Sequence, residues 1–271
     1  MDLLKKNQDV AGYKSVVDDP EICSYLNFGV LNLSDGDVYR GETAGNETCL
    51  VILGGKCDVI AGEEEWKGIG ERGDVFDGAP YSVYLPRDYS FSVTGIGKCG
   101  VAICSSAAES KRDPRLIKPE DVKCRDVGKW NWKRRVCDIM GNDSEIPESL
   151  IVGETYNPPG NWSSAPPHKH DVDDLPRESS LEEIYFYKLK PSQGFALQRV
   201  YTPDGELDDA YVVEDGDTVA IPRGYHPVVA GPGYQLYYLW MLAGTKRIMC
   251  PNDDPDHAWL KNCEPLISEI R

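Results

Sequence analysis

Histidine is scarce in this chain, with four in 271 residues and none before position 168. Any imidazole chemistry is therefore confined to the second half. Positive charge is also in short supply: 29 Lys and Arg stand against 45 Asp and Glu, a formal net charge of -16. A chain this acidic is repelled by nucleic acid and by anionic membrane surfaces unless it carries a strong basic patch. The nearest cluster, Lys133-Arg134-Arg135, is short, sits between Trp132 and Val136, and reads as a solvated turn or strand end. No apolar run approaches the roughly 18 residues that a membrane span needs. The opening MDLLKKNQDVAGYKS has lysines without an apolar run behind them, so it does not read as a signal peptide. These absences lead to the expectation of a cytoplasmic protein with neither nucleic acid nor membrane as partner. The nine cysteines include no CxxC pair, and all are expected to be free thiols.

What is present is β pattern. Runs rich in Val, Ile, Tyr and Phe alternate with Gly, Pro and Asp turns, as in Thr48–Leu53, Tyr81–Leu85, Phe91–Thr94, Gly100–Cys104, Ile184–Leu189, Phe195–Tyr201, Thr218–Ile221 and Gln235–Leu242. Short strands at turn-punctuated spacing predict a barrel or sandwich. Helical signals are few. The best predicts a helix capped by Asp254, with Pro255 at its first position, running through His257, Trp259 and Leu260.

An internal repeat organises the chain. Gly73-Asp74 and Gly216-Asp217 each open a strand, and Pro86, Arg87, Tyr89, Val93 and Gly95 match Pro222, Arg223, Tyr225, Val229 and Gly231. The expected fold is all-β, two similar barrels with few short helices, divided as residues 1–136 and 137–271. Ser90 of the first copy stands where the second has His226. The first barrel is thus expected to lack imidazole ligands and to pack against the second.

His168 and His170, two residues apart, project from one face if that segment is a strand. Gly224 allows a sharp turn that aims His226 into a barrel. Adjacent strand residues face opposite ways, so either Glu182 or Glu183 enters the barrel. Period-2 alternation groups Glu183 with Tyr185 and Tyr187, the face better suited to a polar cavity. The expected metal ligands are His168, His170, Glu183 and His226, around one divalent ion; zinc and manganese suit three imidazoles and a carboxylate, and iron remains open. His257 reads as structural.

His-x-His, a following Glu and a later Pro-x-Gly-x-His resemble the two motifs of the cupin superfamily, in which these four residues bind one metal inside a small β-barrel. Longer strings resemble the 5-deoxy-glucuronate isomerases of myo-inositol catabolism: YNPPGNWSSAPPHKHD from Tyr156, PRESSLEEIYFY from Pro176, QGFALQRVYT from Gln193, PRGYHP from Pro222 and NDDPDHAWL from Asn252. The likeness spans nearly the whole chain, is strong from Tyr156 to Leu260 and weak before Val51. It extends to the uronate isomerases of pectin breakdown, which share a two-barrel design.

That resemblance implies an aldose–ketose isomerase acting on a small sugar acid, converting 5-deoxy-D-glucuronate into 5-dehydro-2-deoxy-D-gluconate, with a homo-oligomer admissible. For the family reaction a metal can bind the carbonyl and neighbouring hydroxyl oxygens while a group moves a proton between adjacent carbons, with a metal-assisted hydride shift as the competing route. Tyr187 is the first expectation for that group, with Tyr238 and Tyr225 behind it. A carboxylate substrate in an acidic protein needs an arginine, and Arg199, Arg223 and Arg177 lie in the family-like strings. The residues leave open an iron-dependent oxygenase of the same fold, a related uronate isomerase, or a non-catalytic sugar-acid sensor.

Overall fold

A computed structural model describes residues 2–7 and 10–269. Strands dominate it, and its helical content is one α-helix, Trp259–Glu269, with two short 3-10 turns, Pro119–Asp121 and Trp130–Trp132. In the first half the strands Gly12–Val17, Leu26–Leu33, Ser90–Ala107, Asn46–Ala61, Ser82–Leu85 and Arg115–Ile117 are neighbours in that order. The predicted strands Phe91–Thr94 and Gly100–Cys104 are parts of one 18-residue strand, Ser90–Ala107, paired along its length with Asn46–Ala61.

The second half has two facing sheets. One runs Leu4–Lys5, Thr218–Ile221, Glu178–Lys190, Gln235–Gly244, Ile151–Asn157, Arg134–Met140 and Lys123–Val127; the other runs Trp162–Ser163, Val228–Ala230, Ala196–Tyr201 and Asp208–Val213. The expected division at 136/137 therefore falls inside the strand Arg134–Met140, and hydrogen bonding moves the change-over to between Ile117 and Lys123. The amino-terminal strand crosses over: Leu4 and Lys5 pair with Val219 and Thr218.

The central strands alternate between two cores, as a pleated strand must when both its faces are covered. In Gln235–Gly244, Leu236, Tyr238, Trp240 and Leu242 fill the interior of the second barrel. The intervening Tyr237, Leu239, Met241 and Ala243 join Phe28, Val51, Tyr84 and Cys104 of the first half in a shared core. The first barrel covers the outer face of the sheet that carries the site, and its own interior holds Leu50, Ile52, Val83 and Val101.

Two expectations are corrected here. The nine cysteines are not all thiols: the hairpin register sets Cys124 opposite Cys137, their Cα atoms 4.0 Å apart, and they form a disulfide. Spacing alone gave no sign of this, because the partnership depends on register. The carboxy-terminal helix also begins later than predicted. Asp254 caps a tight turn instead, accepting the Asp256 N–H at 2.9 Å, and the α-helix opens at Trp259. His257 is exposed on that turn.

Candidate metal centre and substrate cavity

His168 lies on the two-residue strand His168–Lys169, held by Asn252–Asp253. Lys169 points away from the two imidazoles and is buried between carboxylates, 2.5 Å from Asp171 and 2.7 Å from Glu178. His168 and His170 consequently share the opposite, inward face. Glu183 projects into the same space from Glu178–Lys190, together with Tyr185. Glu182, on the other face, accepts the N–H groups of Ser24 and Tyr25 at 3.0 and 2.8 Å and so ties the sheet to the first half.

His226 reaches the same point from the loop after Thr218–Ile221. Gly224 has φ +93°, and a Cβ there would lie 2.6 Å from the Tyr201 carbonyl oxygen, so glycine is required. Its N–H donates to Asp171 at 2.8 Å, which fastens the His226 loop to the His168–His170 segment. Ser90, at the matching place in the first half, is exposed, whereas His226 is fully buried.

The donor atoms of His168, His170 and His226 lie within 4.8 Å of one another. Glu183 Oε2 is 3.1 Å from Nε2 of both His170 and His226. His170 Nδ1 lies 2.9 Å from the Leu181 carbonyl and His226 Nδ1 2.9 Å from the Gly224 carbonyl. Carbonyls only accept, so each Nδ1 carries the proton and each Nε2 presents a lone pair inward. Two lone pairs and a carboxylate oxygen then converge as acceptors, an arrangement that calls for a cation. His226 Nε2, buried and without a hydrogen-bond partner among the described residues, is the clearest mark of it. The donor set fits one metal ion.

Burial pushes His168 well below the ordinary imidazole range, and the neighbouring His226 and His170 add to this. Burial alone would raise the Glu183 carboxyl, yet the adjoining His170 and His226 imidazoles hold it at about 2. Burial would likewise lower His170, but Glu183 holds it above its usual value.

A cavity of about 190 Å³ opens beside His168 and Glu183. That is the volume of roughly six waters, the scale of a monosaccharide. Tyr238 lines it and bonds Ser163; Tyr185, also lining it, bonds Ser164 at 3.1 Å. Burial raises the Tyr238 phenol, countered by Arg134 and by the Ser163 and Thr155 hydroxyls. Tyr187 is in the barrel interior but does not line the cavity, because its hydroxyl is committed to Gln198 at 2.5 Å. Tyr225 stacks on Tyr201, their centroids 5.1 Å apart, and is likewise absent from the cavity wall.

The three expected arginines are elsewhere. Arg199 pairs with Asp208 at 2.7 Å and stacks on Tyr201, Arg223 pairs with Glu206 at 2.8 Å, and Arg177 pairs with Asp174 at 2.5 Å; all three are on the surface. Strand direction explains Arg199: in Ala196–Tyr201 the inward residues are Ala196, Gln198 and Val200, and Arg199 alternates outward. The arginines beside the cavity are Arg134 and Arg125. Arg134 belongs to the cluster read from sequence as a solvated turn or strand end; it is the first residue of the strand Arg134–Met140, and its place in the cavity wall is what the sequence did not show. Arg199→Ala and Arg177→Ala are expected to leave turnover within about twofold and stability within about 0.5 kcal/mol, by steady-state kinetics and thermal melting.

Fold and site together define a two-barrel protein of cupin type whose histidine triad can hold a metal ion. More narrowly, the chain belongs to the KduI/IolB family, whose model matches residues 3–260. It is 45% identical over 237 residues to a 5-deoxy-glucuronate isomerase of Geobacillus kaustophilus, covering 87% of this chain and 86% of that protein. An IolB-like protein from Salmonella typhimurium LT2 superposes with TM-score 0.92 at 35% identity, covering 96% of this chain and 100% of that one. The formate complex of Lactobacillus farciminis oxalate decarboxylase shares the fold, with TM-score 0.65 at 11% identity, covering 100% of this chain and 93% of that one. Among the described residues no helix is long and apolar enough to cross a membrane.

Proposed function

We infer that this chain is an intramolecular aldose–ketose isomerase that converts 5-deoxy-D-glucuronate into 5-dehydro-2-deoxy-D-gluconate. The observation that carries the reading is the convergence of three imidazoles and Glu183 at the wall of a sugar-sized cavity, in a chain so similar to 5-deoxy-glucuronate isomerases. His168, His170, Glu183 and His226 would hold one divalent cation, zinc or manganese. The cation supplies Lewis acidity, lowering the cost of negative charge on the carbonyl oxygen. The chain's own groups position and polarise the substrate. Tyr238 is the proton-bearing group: its phenol lines the cavity, stays neutral because burial raises it, and is oriented by Ser163. A neutral phenol in that position donates a hydrogen bond to developing oxyanion charge. Tyr185 and Trp240 wall the cavity and limit water. The reaction is assigned to the cytoplasm: the five buried thiols Cys23, Cys49, Cys57, Cys99 and Cys104 fit a reducing compartment, the Cys124–Cys137 bridge being the exception.

The direct test incubates metal-loaded protein with 5-deoxy-D-glucuronate and follows the ketose by NMR. No product from intact, metal-loaded protein overturns the reading. A second expectation concerns Asp171, which anchors the His226 loop through Gly224. Asp171→Ala is expected to lower metal affinity by about 10–100-fold, read by competition with a chelating dye.

A further inference from the structure

The sugar acid must place a carboxylate somewhere in a protein of net charge -16. Among the described residues lining the cavity, the guanidinium groups are Arg125 and Arg134. Arg125 is already committed, in an ion pair with Asp138. Arg134 has no carboxylate partner among the described residues. Only its Nη1 is used, donating to the carbonyls of Trp132 and Ala165 at 3.2 and 3.3 Å. Those two bonds hold the group in the cavity wall and, among the described residues, leave Nε and Nη2 without an acceptor. A half-buried guanidinium, fixed by backbone carbonyls and with an unused edge, is suited to paired hydrogen bonds with a carboxylate. Its charge also reaches inward, where it counters the burial of the Tyr238 phenol.

We propose that Arg134 is the carboxylate anchor of the cavity, fixing the acid end of the substrate at its wall while the carbonyl end faces His168 and Glu183. The assignment rests on the isomerase reading for the identity of the substrate. It gives the site its selectivity for a sugar acid over the neutral sugar.

Calorimetric titration of the metal-loaded protein with 5-deoxy-D-glucuronate and with its neutral counterpart 5-deoxy-D-glucose tests this, alongside turnover. In R134M, affinity for the acid is expected to fall about 10–100-fold, as loss of a charge-assisted pair implies. The neutral sugar should bind as before. KM should rise with kcat within a few fold, because the anchor acts equally in ground and transition states. R134K should recover part of the loss. R135M removes the same charge from the exposed side of the strand and should change neither ligand's affinity. If R134M does not fold, R134Q carries the same comparison. Unchanged acid affinity in these variants, or equal losses for acid and neutral sugar, overturns the assignment. Wild-type protein that binds the acid without turning it over sinks the isomerase reading and leaves the anchor standing. Wild-type protein that does not prefer the acid refutes the anchor itself.

Discussion

His226→Ala is expected to strip the protein of its metal and to lower kcat/KM by about 10³-fold or more, while the β fold remains. The side chain is fully buried, and its Nε2 has no hydrogen-bond partner among the described residues. Its removal takes one imidazole from the triad and leaves Glu183 with one neighbour fewer to balance a charge held in a dry place. Metal-assisted stabilisation of transition-state charge is worth several kcal/mol, and each 1.36 kcal/mol is tenfold in rate. Metal per chain by plasma mass spectrometry, turnover by NMR and the far-ultraviolet circular dichroism spectrum read the three quantities separately. His168→Ala should behave alike. Full metal content in both variants would show that these imidazoles are not ligands.

The second large effect concerns stability and lies away from the cavity. Arg72, from the first half, is buried against Glu154 of Ile151–Asn157, with Nη2 2.7 Å from Oε1 and side-chain exposures of 2% and 0%. Glu154 also accepts from the Tyr156 and Tyr237 hydroxyls at 2.8 and 2.7 Å, and Arg72 donates to the Ile52 and Gly78 carbonyls at 3.0 Å each. Every strong polar group is satisfied, so the pair costs little as it stands. Arg72→Ala leaves a carboxylate in the shared core without its cation. A loss of about 3–5 kcal/mol is expected, visible as a lowered denaturation midpoint. The double variant Arg72→Met with Glu154→Gln should lose less, because no charge is stranded. Equal losses in the single and double variants would contradict this account.

Local pattern carried a good deal of the site. Two imidazoles at i and i+2 share a strand face whatever the surroundings, and Lys169 between them does face the other way, toward Asp171 and Glu178. Parity likewise separated Glu183 from Glu182, with Ile184 and Phe186 in the shared core and Tyr185 and Tyr187 in the barrel. Gly224 announced a turn that only glycine makes. The cavity's other contributors were hidden for one reason: each depends on which strands become neighbours. Arg134 lines the cavity because Arg134–Met140 pairs with Ile151–Asn157, bringing it toward residues some 30 positions away. Arg199 was a sound choice by chemistry, but the outward phase of its strand turns it to Asp208. Tyr187 had the right parity, and Gln198 on the facing sheet claimed its hydroxyl.

The amino-acid sequence on its own determined the all-β class, the doubled architecture and the identity of the imidazoles and glutamate that meet, because strand periodicity and scarce residue types are local properties. Tertiary structure alone decided the Cys124–Cys137 bridge, the crossing of Leu4–Lys5 into the second sheet, the Arg72–Glu154 contact between halves and the arginine in the cavity wall. Each of these is set by register and packing between strands distant in the chain, which no local pattern encodes.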